Sequence, residues 1–178
     1  MGKSCLDKLR SNVTVGCTIP RVGVKNIYLI HTEDIALKVA STGPAVLVGA
    51  SFAPGGAAIL VEGYKQNIQI TSAIRTMDAS AKLDFSVVFK MMGRNYDMAA
   101  RVRSLLTGKF YVLAEYQDSS YSFIGYTSPL ECSGMDWDSN ANAGFITVTL
   151  TAPEGSAGNY LMTVDDPTVS TIISKLVQ

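Results

Sequence analysis

The chain has 178 residues, enough for one domain with a substantial core. Its 47% apolar and 17% charged composition describes a globular protein and excludes a disordered one. Fifteen basic and fifteen acidic residues cancel, which excludes attraction to nucleic acid through net charge and does little to oppose self-association.

Residues 4–10 read as a short helical turn, and Val13–Ile19 as a strand closed by Pro20. Val24–Thr32 alternates Ile27, Leu29 and His31 against Tyr28 and Ile30, a better strand. Residues 33–40 read as a brief helix or an irregular connection, followed by the loop Ser41-Thr42-Gly43-Pro44. Residues 45–52 read as a buried strand and 53–58 as a Gly/Pro loop. Two long strands are then expected, 59–72 and 81–91, the second with Leu83, Phe85, Val87 and Phe89 on one face. They pair as a long hairpin whose tip, 73–80, projects from the body. Strands of that length exceed the usual five or six residues, so such a hairpin needs something packed against it, another subunit included.

Asn95 is an expected N-cap for a helix over 95–107 with Met98, Ala99, Val102, Leu105 and Leu106 on one stripe, and Gly108 stands at its C′ position. From Lys109 to Ala152 four strands follow with short turns: 110–117, 121–127, 130–137 and 145–151. In the first, Phe110, Val112, Ala114 and Tyr116 share one face, while the other ends in Glu115 and Gln117 and reads as half wet. In the last, Ile146, Val148 and Leu150 oppose three threonines. After a loop at 153–159, Asp165 or Asp166 caps a final helix over 167–177 with Pro167 at its first position and Val169, Ile172, Ile173 and Leu176 on a stripe. The fold class is therefore mainly β (α+β): an antiparallel sandwich or small barrel with a long projecting hairpin and one flanking helix.

Conventional chemistry is sparse. His31 is the one histidine and lies in an apolar strand pattern, which reads as a hydrogen-bonded core or interface residue rather than a general base. Cys5, Cys17 and Cys132 lack metal-ligand spacing and read as free thiols in a reducing compartment. Gly2-Lys3-Ser4 ends like a phosphate-binding loop without the glycines that precede one. The N-terminus lacks the apolar region of a signal peptide, and the apolar run 45–61 is broken by Pro54-Gly55-Gly56, so neither a leader nor a membrane anchor is expected. Asp136, Asp138, Asn140 and Asn142 alternate as in a calcium loop, but Ala141 and Thr147 stand where that loop needs glycine and glutamate, and a self-capping hairpin loop is favoured. Tyr111, Tyr116, Tyr121, Phe123 and Tyr126 read as a cross-strand aromatic cluster, not a base-stacking platform, because no basic residues interleave with them. Arg94, Arg101 and Arg103 read as a solvated or intersubunit helix face. No catalytic, cofactor-binding or metal-binding residue is assigned, and an enzyme is not expected.

The order of elements, together with Gly108-Lys109-Phe110-Tyr111-Val112-Leu113-Ala114-Glu115-Tyr116, Ser122-Phe123-Ile124-Gly125, Leu130-Glu131-Cys132-Ser133-Gly134 and Gly144-Phe145-Ile146-Thr147-Val148-Thr149-Leu150-Thr151, resembles phage tail tube and tail-completion (neck) proteins, the tube-type virion proteins of Bacteroidetes phages among them. The resemblance covers residues 58–152. It implies a single tail-tube-like domain over 1–178, with an N-terminal extension (1–26) and a C-terminal arm or helix (153–178). It further implies a virion protein, made in the bacterial host cytoplasm, whose copies form hexameric rings around a channel for DNA. Its partners would be further copies of itself, other tail or neck proteins and, transiently and non-specifically, DNA. Lumens in this family are acidic, whereas the hairpin here sets Lys65, Arg75, Lys82 and Lys90 against Glu62, Asp78 and Asp84. From the residues alone, Trp137 beside polar loops suggests a different class, a ligand- or carbohydrate-binding β-sandwich module.

Overall fold

The computed structural model describes residues 23–41, 46–63, 67–77, 80–91, 96–137, 145–154, 156, 159 and 161–177. The elements expected at 4–10 and 13–19, Cys5, Cys17, Arg94, Asn95 and the loop residues 138–144 lie outside them. The described residues form eleven strands and two helices, a mainly β fold.

In chain order these are β1 (Val24–His31), β2 (Ile35–Ala40), β3 (Val46–Phe52), β4 (Ala58–Glu62), β5 (Ile68–Met77), β6 (Ser80–Met91), α1 (Tyr96–Thr107), β7 (Lys109–Tyr116), β8 (Tyr121–Ile124), β9 (Leu130–Trp137), β10 (Ile146–Thr151), β11 (Met162–Val164) and α2 (Asp166–Ile173). The sheet runs β2-β3-β11-β8-β7-β9-β10-β6-β5, with β1 on the opposite edge of β7 and β4 beyond it. It branches at β7: Lys109 and Phe110 pair with β9, whereas Val112–Glu115 pair with β8. One branch, β9-β10-β6-β5, curls around a first core, and the other, β8-β11-β3-β2, covers a second.

The central pair β1–β7 separates the two cores. Ile27, Leu29, Phe110, Val112 and Ala114 face the first, with Val87, Phe89, Val148 and Leu150. Tyr28, Ile30, Tyr111 and Leu113 face the second, with Leu47, Phe123, Met162 and Ile172. A strand covered on both faces reads as a continuous apolar run, which is why β1 is buried without interruption from Ile27 to Ile30 and β7 from Phe110 to Glu115. This corrects the half-wet reading of β7, since its second face is covered by β3, β11 and α2, which lie far away in sequence.

Three further expectations are corrected. Residues 35–40 are a strand, paired with β3 through two register shifts, and not a helix. The single strand expected at 59–72 is two strands with different partners, β4 on β1 and β5 on β6. Gly63 makes the break: a Cβ there would stand 2.0 Å from the Lys25 carbonyl oxygen, so only glycine lets the chain turn against β1. Leu106, expected on the buried stripe of α1, is exposed, whereas Leu105 is buried. Gly108 follows α1 as expected, but its role is space: a Cβ would lie 2.4 Å from the Phe110 ring.

The C-terminal stretch is built into the body. β11 lies between β3 and β8, and α2 is capped by Asp165, whose Oδ1 accepts from the Thr168 N–H at 3.0 Å. Asn159, fully enclosed, clamps the connecting loop. Its Oδ1 accepts from the Ser128 N–H and its Nδ2 donates to the Ser128 C=O, each at 3.0 Å, while its own N–H donates to the Leu83 C=O at 2.8 Å. Replacing the amide leaves two buried backbone groups of Ser128 unpaired. We expect Asn159→Ala to lower stability by about 2–4 kcal/mol, read from the urea midpoint.

Candidate functional site

Two places in the fold hold more structure than a plain body requires. The first is a buried carboxylate. Glu115 sits on β7 with 5% of its surface exposed, on the same face as Leu113 and beside Tyr28 of the second core, where burial would otherwise exclude a charge. Three side chains of β1 satisfy it: Lys25 Nζ donates to Oε1 at 2.5 Å, Asn26 Nδ2 to Oε2 at 2.8 Å and Tyr28 Oη to Oε2 at 2.9 Å. The register places Asn26 directly opposite Glu115, which brings all three donors within reach. Asn26 also accepts from the Gly63 N–H at 3.2 Å, so the same cluster fixes the β4–β5 turn.

Burial pushes the Glu115 carboxyl up, but the hydrogen bonds from Lys25, Asn26 and Tyr28, helped by the Lys25 charge, outweigh it and hold the group below its ordinary 4.5. Burial, then the bond to Glu115, pushes the Tyr28 hydroxyl well above its ordinary 10.0. For a lowered carboxylate, the stabilisation is complete above pH 4.5 and is lost as pH falls through the folded value. For a raised phenol, it is complete below pH 10 and is lost as pH climbs beyond. Unfolding midpoints measured against pH are therefore expected to fall off on both sides of a neutral plateau, with the acid limb shallower in Glu115→Gln. This arrangement is a structural lock, with every carboxylate contact made by β1.

The second place is the β5–β6 ribbon. β5 has 10 residues and β6 has 12, and they pair from Ile68 opposite Phe89 to Met77 opposite Ser80 without a register shift. β10 supports β6 only from Met91 to Ser86. From Ser72 opposite Phe85 onward, the ribbon extends beyond that support. The alternation nevertheless continues, and Ile74 remains 73% exposed on the face that Phe85, Val87 and Phe89 bury closer in. The long hairpin is present, as expected, but residues 73–77 belong to its strand rather than its tip, and residues 78 and 79 of the expected tip lie outside the described ones.

The other edges are blunted. β2 carries two register shifts and turns Lys38 inward, where its Nζ donates to the Tyr126 C=O and lies 4.0 Å from the Tyr111 ring centroid and 4.7 Å from that of Tyr126. Bulges and inward charges are the usual protection of an edge strand. β4 is partly covered by the C-terminal residues. β5 has no register shift along its pairing with β6.

A groove of about 520 Å³ along β5, β6, β10 and β9 mixes the hydroxyls of Thr71, Ser86 and Thr151 and the carboxylates of Asp84, Glu131 and Glu154 with apolar side chains such as Ala73, Phe85 and Pro153. Lys109 reaches Glu131 at 2.8 Å. A second groove of about 680 Å³ lies between β4, the end of β6 and α1, with a largely apolar lining.

The other sequence candidates are dispersed. His31 is half-buried, with Phe110 edge-on at 5.4 Å, and its Nδ1 accepts from the Glu33 N–H at 3.4 Å. Tyr111 stacks on Phe123 at 5.7 Å, Tyr121 and Tyr126 pack against the second core, and Tyr116 packs against the first while sharing a 2.8 Å hydrogen bond with Ser122. The aromatic cluster is thus a packing feature divided between cores, and it receives a cation from β2 that no local pattern announces. Arg101 and Arg103 are exposed. Asp136 and Trp137 end β9, both exposed, and the remaining residues of the supposed ion loop lie outside the described ones. Among the described residues no group of three or more His, Cys, Asp or Glu is placed to hold a metal. Cys132 is a free thiol whose Sγ lies 3.6 Å from the Gly134 C=O. No described helix is long and apolar enough to cross a membrane.

Lys38 and Glu115 are the residues that sequence reading missed. A glutamate inside the run Phe110–Tyr116 was the available signal for the second.

Comparison of the chain with protein-family models, with curated proteins and with solved structures finds no match.

Proposed function

We propose that this chain is a structural subunit that assembles with copies of itself into a ring, of the kind that builds a phage tail tube or neck around a channel for DNA. The observation that carries this reading is the β5–β6 ribbon: an uninterrupted edge strand with an apolar side chain, Ile74, exposed beyond the body. A long, regular, unprotected edge is a template for pairing with another chain, and natural monomers rarely leave one open. The resemblance to tail tube proteins supplies the class of assembly. The hydroxyls and carboxylates in the groove along β5, β6, β10 and β9, with Lys109 paired to Glu131, are compatible with a channel wall that holds DNA only weakly.

Negative-stain electron microscopy of the concentrated protein tests this. Rings or short tubes of uniform diameter are expected. Particles of monomer size at every concentration would sink the reading.

Trp137, 61% exposed at the end of β9, favours a second reading, a carbohydrate-binding module. A glycan array with Trp137→Ala as control separates the two: binding that is lost with the indole supports it, and a blank array removes it.

A further inference from the structure

The β4 edge is occupied by the chain's own end. The Ala58 N–H donates to the Lys175 C=O at 2.8 Å, and the Ala58 C=O accepts from the Val177 N–H at 3.0 Å, which makes a parallel bridge between Ala58 and Leu176. This contact is one rung long. Backbone groups alternate sides along a strand, so the N–H and C=O of Leu60 and Glu62 point the same way as those of Ala58, toward the open edge. Beside that edge runs the 680 Å³ groove, walled by Ile59, Leu60 and Val61 on one side and by Met91 and Leu105 on the other. An extended segment laid along β4 would complete the ladder with Leu60 and Glu62 and sink alternate side chains into the groove, the two components of strand addition.

We infer that the C-terminal residues Lys175–Val177 are a guard on the β4 edge: a strand of a second copy pairs with β4 when they are released, and is held off while they are bound. The occupant is argued from this chain itself. Among the described residues β5 has a strand partner on one edge only, and its Ile74 is exposed beside that open edge, whereas Ile68 and Ile70 pack into the first core. Past Ser174, the C-cap of α2, the guard makes four backbone hydrogen bonds, two back to α2 and two to Ala58, and only the two to Ala58 have to open to free the β4 edge; Leu176 is half-buried and Val177 is exposed. It would keep single subunits from pairing before the proper neighbour arrives. The inference rests on the reading of the chain as a self-assembling subunit.

The test uses the full-length chain with Val177→Pro, which removes the donor to Ala58, and separately Leu176→Asp, which removes the apolar anchor. Sedimentation equilibrium is expected to show at least tenfold tighter self-association in each. Adding Leu60→Pro, which removes an edge N–H while leaving the β1 side of β4 intact, is expected to cancel the gain. Unchanged association in the released variants, or a gain that persists with Leu60→Pro, overturns the inference. If Leu176→Asp unfolds the chain, Val177→Pro decides alone, since that side chain lies outside the cores. The two readings fail separately. If the unmodified chain forms rings and release changes nothing, the guard falls and the ring reading stands. If it forms none, yet release produces pairing that Leu60→Pro abolishes, the guard stands and the ring reading falls.

Discussion

Glu115→Ala is expected to cost about 3–5 kcal/mol, among the largest effects of any single polar substitution in this chain. The magnitude follows from what is left behind. Removing the carboxylate strands the Tyr28 hydroxyl beside the second core, leaves the Asn26 amide without its acceptor, and empties the space next to Tyr28 on the strand where both sheet branches meet. Glu115→Gln keeps the shape and one acceptor oxygen, so about 1–2 kcal/mol is expected, and Tyr28→Phe loses one hydrogen bond at about 1 kcal/mol. Lys25→Met costs least of the four, because that ammonium is half exposed and water replaces much of what Glu115 gives it. Urea unfolding of the four variants checks the order. If Glu115→Ala came out no worse than Lys25→Met, the carboxylate would be a surface ion pair and not a lock.

The second large effect concerns assembly. Ile74→Lys alters the ribbon without touching the body, by charging its exposed apolar face, whereas Thr71→Pro disrupts the strand at the last rung that β10 backs. Ile74 is exposed in the single chain, so Ile74→Lys should leave the unfolding midpoint within about 0.5 kcal/mol of the parent. Self-association is expected to weaken by at least a hundredfold in either variant, measured by mass photometry across a dilution series. A loss of assembly that tracked a loss of stability would point to misfolding instead. Ile74→Lys is the cleaner probe for that reason.

The parts of this fold that sequence reading reached are those whose pattern is local. β1, β3, β6, α1, β7, β9 and β10 each carry their periodicity within their own residues, and the stripe Ile146, Val148, Leu150 faces the first core as its alternation requires. What it missed depends on distant partners. β7 reads as half wet only until β3, β11 and α2 cover its second face. β2 has mixed periodicity because two register shifts interrupt its alternation, and its inward Lys38 is satisfied by Tyr111 and Tyr126, which no neighbouring residue announces. β11 has three residues, too few to carry a period. The division of 59–72 into β4 and β5 was signalled by Gly63, but the reason it must be glycine, the Lys25 carbonyl against it, exists only once β4 lies on β1. The candidate assembly surface was legible in outline as a hairpin too long to stand alone. Its open edge was not, because whether an edge is free depends on the whole sheet order.

Amide hydrogen exchange of residues 68–77, compared between dilute and concentrated protein, tests whether copies of the chain assemble through β5. β5 turns half of its N–H groups toward β6 and half toward the open edge, so assembly through this strand should slow the exchange of the outward half by at least tenfold, while β7 and β1, buried in both states, exchange alike. Equal exchange of residues 68–77 in the two samples, with or without association elsewhere on the surface, would contradict the account.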